Sequence, residues 1–259
     1  MDKWESYRPD IYFLIEATGE FIVYLDSEND VDWETDSYTE GSKADATRFN
    51  AALNRAAVLE ATPCTGLSFE MRRHFKRLVG EGIARALEHE HELAQGVLNS
   101  AEAYVRARSQ ELSRFWYLSA SFVAAAPFAL LGLLFWLAPA ATSAVVGKPG
   151  YLLVLSAVSG VLGALLSVIA RTGAQTFDTS SSKSTHYLEA ISRIFAGGIS
   201  GVIVTVAVQA GLVLGGFVKN PYDPHVILLV ALAAGSSERL ATSIMENISE
   251  NKLRKPNGD

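Results

Sequence analysis

The sequence predicts a mostly α-helical protein. An N-terminal cytoplasmic α or α+β domain, residues 1–112, is joined by a long helical stalk to a four-helix transmembrane domain, residues 113–259. The distribution of charged residues along the chain supports this division. The chain of 259 residues is 49% apolar and 19% charged, yet residues 115–234 carry almost no charge while residues 1–112 are rich in it. Such a split is typical of a soluble domain attached to a membrane domain.

Apolar segments are the second observation behind this fold class. Three of them contain 20 or more residues, which is about the length that crosses a bilayer: Phe115–Leu137, Tyr151–Ala170 and Ile194–Val218. A fourth begins near His225 and meets no proline before residue 248, so it is predicted to be one helix. Aromatic side chains near the segment ends match the interfacial belts of membrane proteins: Phe115, Trp116, Tyr117, Phe135, Trp136, Tyr151 and Tyr222.

Lysine and arginine residues predict the orientation. They flank the start of the first span, the connection between the second and third spans, and the end of the fourth: Arg106, Arg108, Arg114, Arg171, Lys183, Arg193, Lys252, Arg254 and Lys255. The other two connections hold only Lys148 and Lys219. Because basic residues are retained on the cytoplasmic side, both termini are predicted to be cytoplasmic. An even number of spans is then required, so the fourth segment must cross as well.

Glu238 is an unusual residue in the fourth segment. Placed on a continuous helix, it would lie about a third of the way into the hydrocarbon core, at about 1.5 Å per residue. A charge at that depth is costly unless it faces protein or water. Arg171 and Arg193 are predicted at the same level. Two interpretations remain open: a structural ion pair, or a charged ring at the inner mouth of a pore. Thr205 and Gln209 likewise suit either interhelical bonding or pore lining.

Small residues repeat at four-residue spacing in two spans. This pattern lets membrane helices approach closely. It occurs at Ser156-x-x-x-Gly160-x-x-x-Ala164, Gly197-x-x-x-Gly201 and Gly211-x-x-x-Gly215. The pattern predicts helix packing inside one chain, and it also suits homo-oligomers.

The N-terminal domain is harder to assign. Residues 11–25 are apolar and favour a hairpin around Thr18-Gly19, although a helical face also fits them. Residues 26–45 are rich in acids and indicate a solvated loop. A helix is predicted from about residue 45 to 61, before Pro63. A longer one, capped by Thr65 or Ser68, is predicted to continue without a break into the membrane.

A basic cluster marks the start of that long helix. Arg73, Lys76 and Arg77 share one helical face, with Arg72 beside it. Such a face can bind phosphates. The alternative is a solvated face, or pairing with the acidic residues 26–45. His89 and His91 lack the i, i+4 spacing of a helical zinc site. The sequence shows no nucleophile–base arrangement and no phosphate loop, so we predict no enzyme, no metal and no cofactor.

The order of these parts resembles a family. The stalk end YVRARSQELSRFWYLSAS, the ISRIFAGGISG segment and the closing AGSSERL are similar in layout, over roughly residues 100–245, to four-span membrane effectors of bacterial anti-phage systems. The nearest is the channel subunit of the Hailong defence system. That resemblance implies a homotetrameric ion channel in the bacterial inner membrane with a cytoplasmic crown domain. The crown would bind a short single-stranded DNA signal, supplied by a partner nucleotidyltransferase.

Two functions therefore compete. The first is a gated homo-oligomeric channel, for which the resemblance makes Arg72, Arg73, Lys76 and Arg77 candidates for contact with the signal. The second is a membrane-anchored adaptor or sensor without a pore. The number of spans favours the channel, because an anchor needs only one or two.

Overall fold

The computed structural model divides the chain into two units, residues 1–112 and the residues from 113 onward. The protein is mostly helical, with one small sheet. The structure describes residues 3–7, 9–35, 43–64, 66–173, 182–212 and 223–237.

The N-terminal unit begins with a short 3-10 helix, Glu5–Tyr7, followed by a three-stranded antiparallel sheet in the order β1-β2-β3. The strands are β1 Phe13–Ala17, β2 Phe21–Leu25 and β3 Val31–Thr35. β1 and β2 form the hairpin predicted around Thr18-Gly19. The Thr18 hydroxyl accepts hydrogen bonds from the backbone N–H groups of Glu20 and Phe21, each at 3.1 Å. The hairpin prediction is confirmed, and the helical alternative is wrong.

The third strand corrects the prediction of a loop over residues 26–45. Residues 31–35 pair with β2 instead. Along β3 the apolar Val31 and Trp33 are buried or half-buried, whereas Asp32 and Glu34 are exposed. The acids therefore occupy the solvent side of a strand whose other side packs inward. High acid content concealed this alternation in the sequence.

Two helices follow the sheet. Helix α1 runs Lys43–Glu60 and, as predicted, ends before Pro63. Helix α2 runs Phe69–Leu87, and the Ser68 hydroxyl accepts the Met71 N–H at 3.3 Å. Ser68 thus satisfies one of the N–H groups that a helix start leaves unpaired.

The predicted unbroken helix into the membrane is wrong. Helix α2 ends at Leu87, and a new helix, α3, begins at His91. Between them His89 adopts a left-handed backbone with φ of 62°. A β-carbon added at Gly82 would lie 2.6 Å from the Leu98 side chain, so the start of α3 packs closely on α2. No glycine or proline signals this turn, which is why the sequence did not reveal it.

One hydrophobic core holds the N-terminal unit together. It combines the buried face of the sheet with α1, α2 and the start of α3. Its buried side chains include Phe21, Val23, Leu25, Phe49, Phe75, Val79, Ile83 and Leu98. This arrangement is an α+β unit.

Four helices are described in the second unit, three of them long. They are α3 (His91–Leu137, which begins in the first unit), α4 (Pro139–Arg171), α5 (Lys183–Gln209) and α6 (Pro224–Ser236). Helices α3, α4 and α5 are long and apolar enough to cross a membrane. Residues 139–150, expected from the sequence to be a connecting loop, belong to α4, which is kinked at Gly147, where φ is 74°.

Two predicted span ends also need correction. Helix α5 ends at Gln209 rather than near Val218. Helix α6 has 13 residues, or about 20 Å at 1.5 Å per residue, against a hydrocarbon core of about 30 Å. It ends at Ser236, and Ser237 is extended, with φ −113° and ψ 104°. The predicted continuous helix through Glu238 is therefore interrupted one residue before it.

Candidate functional site

Lys76 is the most enclosed member of the predicted basic cluster. Its ammonium group contacts Asp30 at 3.0 Å and Glu60 at 3.2 Å, and also donates to the Glu60 carbonyl oxygen at 3.3 Å. Only 12% of its side chain is exposed. Glu60 in turn accepts the Val31 N–H at 2.8 Å. Lys76 therefore joins α1, α2 and the β2–β3 connection, which supports the alternative of pairing with the acidic stretch of the same chain.

The neighbouring arginines also have acidic partners. Arg73 contacts Glu70 at 2.5 Å and lies over the rings of Phe13 and Phe69. Arg77 contacts Glu81 at 2.9 Å. Among the described residues, Arg72 has no ion pair and is exposed. The structure thus places the four cations together on α2, but carboxylates of the same chain neutralise three of them.

A second charged group was missed by the sequence analysis. Arg55 on α1 contacts Glu102 on α3 at 2.9 Å, and Arg106 contacts the other oxygen of Glu102 at 2.8 Å. Arg55 also donates to Gln95 at 3.3 Å. The sequence signal was the i, i+4 pair Glu102–Arg106 on one helix. Nothing in the sequence indicated that Arg55, which is 47 residues before Glu102, would lie beside this pair.

These charges border a cleft of about 470 Å³ in the N-terminal unit. Its lining mixes polar and apolar side chains: Arg55, Val58, Leu59, Thr62, Pro63, Glu102, Val105, Arg106 and Ser109. Ligand sites commonly have this size and this mixture of apolar walls with a few polar groups.

Cys64 follows Thr62 and Pro63 of the cleft lining and is a free, half-buried cysteine. Burial raises the pKa of its thiol, opposed in part by the positive charges of Lys76 and Arg72. A raised pKa leaves less of the nucleophilic thiolate at neutral pH. Within the described ranges there is no group of three or more His, Cys, Asp or Glu residues that could hold a metal ion.

In the membrane unit, Arg193 has a partner that the sequence did not indicate. Its guanidinium donates to the Tyr117 hydroxyl at 3.1 Å, and Tyr117 is fully buried. The bond joins α5 to α3. Arg171 is exposed at the end of α4. Glu238 lies outside the described residues, so its pairing with either arginine stays a prediction.

Thr205 and Gln209 occupy different surroundings. Thr205 is fully buried, and its hydroxyl has no hydrogen-bond partner among the described residues. Gln209 is half-buried at the end of α5 and lines a cavity of about 630 Å³ with Lys148 and Tyr151. The two predicted polar candidates are thus not equivalent, although they lie one helical turn apart.

Glycines bring α4, α5 and α6 into backbone contact. A β-carbon added at Gly201 would lie 2.5 Å from the Ser156 carbonyl oxygen, and one at Gly160 would clash with the Gly197 carbonyl. One at Gly235 would clash with the Gly160 carbonyl. The Ser156/Gly160/Ala164 pattern of span two and the Gly197/Gly201 pattern of span three therefore face each other. The predicted packing face at Gly211 is wrong, because Gly211 follows the end of α5 with φ of 69° and has nothing within 4 Å of an added β-carbon, and Gly215 lies outside the described residues. Where these helices cross at Gly160, the contacts leave no space for a water-filled path between them.

In comparisons with known proteins, no protein-family model, no curated protein and no solved structure matches the chain.

Proposed function

We propose that this chain is the subunit of a homo-oligomeric, gated ion channel in the bacterial inner membrane. In this proposal the membrane unit supplies the pore and the N-terminal unit senses an anionic, nucleotide-like signal in the cytoplasm. Opening would depolarise the cell as an effector of anti-phage defence, in line with the resemblance described above.

The number of apolar helices carries the proposal. Three helices are each long and apolar enough to cross a membrane, and α6 adds a shorter apolar helix. Anchoring a soluble unit needs one or two crossings. Additional crossings are useful when the membrane part has a task of its own, such as forming a pore.

Contacts within the chain indicate where such a pore would form. The backbones of α4, α5 and α6 touch at Gly160, Gly197 and Gly235, which closes the space inside one copy at that level. A conducting path would therefore lie between copies. Four copies are the number that the resemblance implies.

The proposed orientation places both termini in the cytoplasm and requires the region after Pro224 to complete a fourth crossing. A cysteine introduced at Thr142 should react with a membrane-impermeant thiol reagent in intact cells. One introduced at Ser109 should react only after lysis. The reverse pattern would contradict this orientation.

Single-channel recording tests the proposal. The purified full-length protein should give discrete current steps in a planar bilayer, with an open probability that changes when a short single-stranded oligonucleotide or ATP is added to the cytoplasmic side. A Gly160→Leu preparation, purified identically, controls for contaminating channels and should give none. Absence of steps from the wild-type oligomer under all these conditions would contradict the proposal.

A second candidate is a membrane-anchored sensor or adaptor without a pore. The close backbone packing of α4, α5 and α6 favours it, because the same contacts would serve a purely structural bundle. Oligomer formation and ligand binding without any current would support this alternative.

A further inference from the structure

The cleft between α1 and α3 differs from the basic face of α2 in its charge balance. On α2, Arg73, Lys76 and Arg77 each have a carboxylate partner, and Lys76 has two. In the cleft, Arg55 and Arg106 share the single carboxylate of Glu102. Within the part of the chain that the structure describes, two cations therefore share one anion, which leaves a net positive charge at the cleft wall.

Hydrogen-bond donors remain available on both arginines. A guanidinium has five N–H groups. Arg55 uses one nitrogen for Gln95 and one for Glu102, and Arg106 uses one for Glu102. Both side chains are partly open to solvent. Paired guanidinium groups with free N–H donors match the geometry of phosphate oxygens, which they can bind in bidentate fashion.

The rest of the cleft is suited to an apolar group beside the phosphate. Val58 is 70% exposed at the cleft, and Val105 forms a buried floor. Thr62 and Ser109 add hydroxyl groups to the lining. A volume of about 470 Å³ accommodates a group of the size of a nucleotide.

We infer that this cleft is the binding site for a phosphate ester with an apolar or aromatic portion, held by Arg55 and Arg106. The phosphate competes with the Glu102 carboxylate for the two guanidinium groups. The apolar portion covers Val58. The role of this site, reception of the gating signal, rests on the proposed function. Binding of the phosphate ester itself does not require a pore.

Two sources share this chemistry. A nucleotide or short oligonucleotide would arrive from solution. A lipid headgroup would arrive from the membrane, since Ser109 lies only six residues before Phe115 in the sequence. The test therefore has one arm for each source.

Calorimetric titration of the full-length protein in uncharged detergent provides the first arm, with magnesium-free ATP and a short single-stranded DNA as probes. Thermal stabilisation by phosphatidic acid, compared with phosphatidylcholine, provides the second. Arg55→Gln and Arg106→Gln should each weaken binding about 10- to 100-fold, since hydrogen bonds to charged groups are lost. The salt dependence should also become shallower. The double variant Arg73→Gln/Arg77→Gln is the matched control and should bind like wild type.

The Glu102→Gln variant tests whether weaker binding by the arginine variants could result from misfolding. It removes the carboxylate that repels the phosphate, so it should tighten binding several-fold, a gain that a damaged fold cannot produce. Binding of the soluble probes identifies a free phosphate ester, and binding of phosphatidic acid alone identifies a lipid headgroup. Failure of wild type to bind any probe, or equal weakening by the α2 variant, would overturn the inference. Binding without current would contradict the channel and leave this site standing.

Discussion

The two units of this protein are stabilised in different ways. The N-terminal unit has a core of large side chains and ion pairs between elements, such as Lys76 with Glu60. In the membrane unit, α4, α5 and α6 meet through backbone atoms at glycines, with Gly160 at the crossing. Side chains can move aside when a neighbour changes, whereas backbone atoms cannot move without displacing a helix. The membrane unit should therefore tolerate less change at its contacts.

The largest expected effect is at Gly160. Gly160→Leu places a side chain where the Gly197 carbonyl lies, and overpacking of this kind costs about 3 kcal/mol. We expect a large fall in the midpoint of thermal unfolding, measured by circular dichroism, and loss of the proposed oligomer in size-exclusion chromatography.

Gly96→Ala is the matched control for Gly160. Gly96 lies on α3 in the N-terminal unit, and nothing lies within 4 Å of an added β-carbon. Because alanine favours a helix over glycine by about 0.5–1 kcal/mol, this variant should be as stable as wild type or more so. Equal loss of stability from the two substitutions would remove the contrast between the units.

The next effect concerns the enclosed lysine of α2. Lys76→Ala removes the cation between Asp30 and Glu60 and leaves the half-buried Glu60 carboxylate with one fewer donor. Loss of a hydrogen-bonded charge of this kind costs about 1–3 kcal/mol. Chemical denaturation of the full-length protein measures it.

Arg77→Ala serves as the comparison on the same helix. Its pair with Glu81 is an exposed i, i+4 contact, which contributes about 0.3–0.5 kcal/mol. A similar loss from both variants would mean that Lys76 has no special structural role, and the ligand-binding interpretation of the α2 face would gain support.

The smallest effect is a pH dependence in the sheet. Loss of hydration raises the pKa of Asp32 above its ordinary value of 3.8, and the carboxylates of Asp26 and Glu60 raise it further. The folded state thus holds this proton more tightly than the unfolded chain. Its stabilising contribution is complete below the ordinary pKa and is lost as pH rises through the folded-state pKa.

Asp32→Asn removes this titration. The variant should be slightly more stable than wild type at pH 7, with the difference vanishing near pH 3. Thermal unfolding at the two pH values checks it. A variant that is less stable at pH 7 would show that the Asp32 carboxylate is favourably paired in the fold.

The sequence predicted the fold best in segments where a residue pattern is repeated. The apolar lengths of three segments identified α3, α4 and α5, and the four-residue spacing of small residues identified the faces that join α4 and α5. The hairpin followed from two short β-rich runs around Thr18-Gly19. The turn at His89 was missed because a residue with a side chain adopts the left-handed conformation there, and no local signal marks it.

The candidate site was harder to predict, for a physical reason. Charge clustering along one helix identified Arg73, Lys76 and Arg77, but the partners that neutralise Lys76 lie 16 and 46 residues away. The charged wall of the cleft forms where Arg55 on α1 contacts Glu102 on α3. Such contacts between distant segments exist only once the core has formed, so a single sequence does not reveal them.

Helices α4, α5 and α6 of one copy leave no room for a pore where they cross at Gly160, so the proposed channel would require several copies. Native mass spectrometry of the protein, released from detergent or nanodiscs, tests this most directly. We predict a single dominant species at an integer multiple of the 27.9 kDa chain mass, four copies by the resemblance. A dominant monomer under conditions in which channel currents are recorded would contradict it.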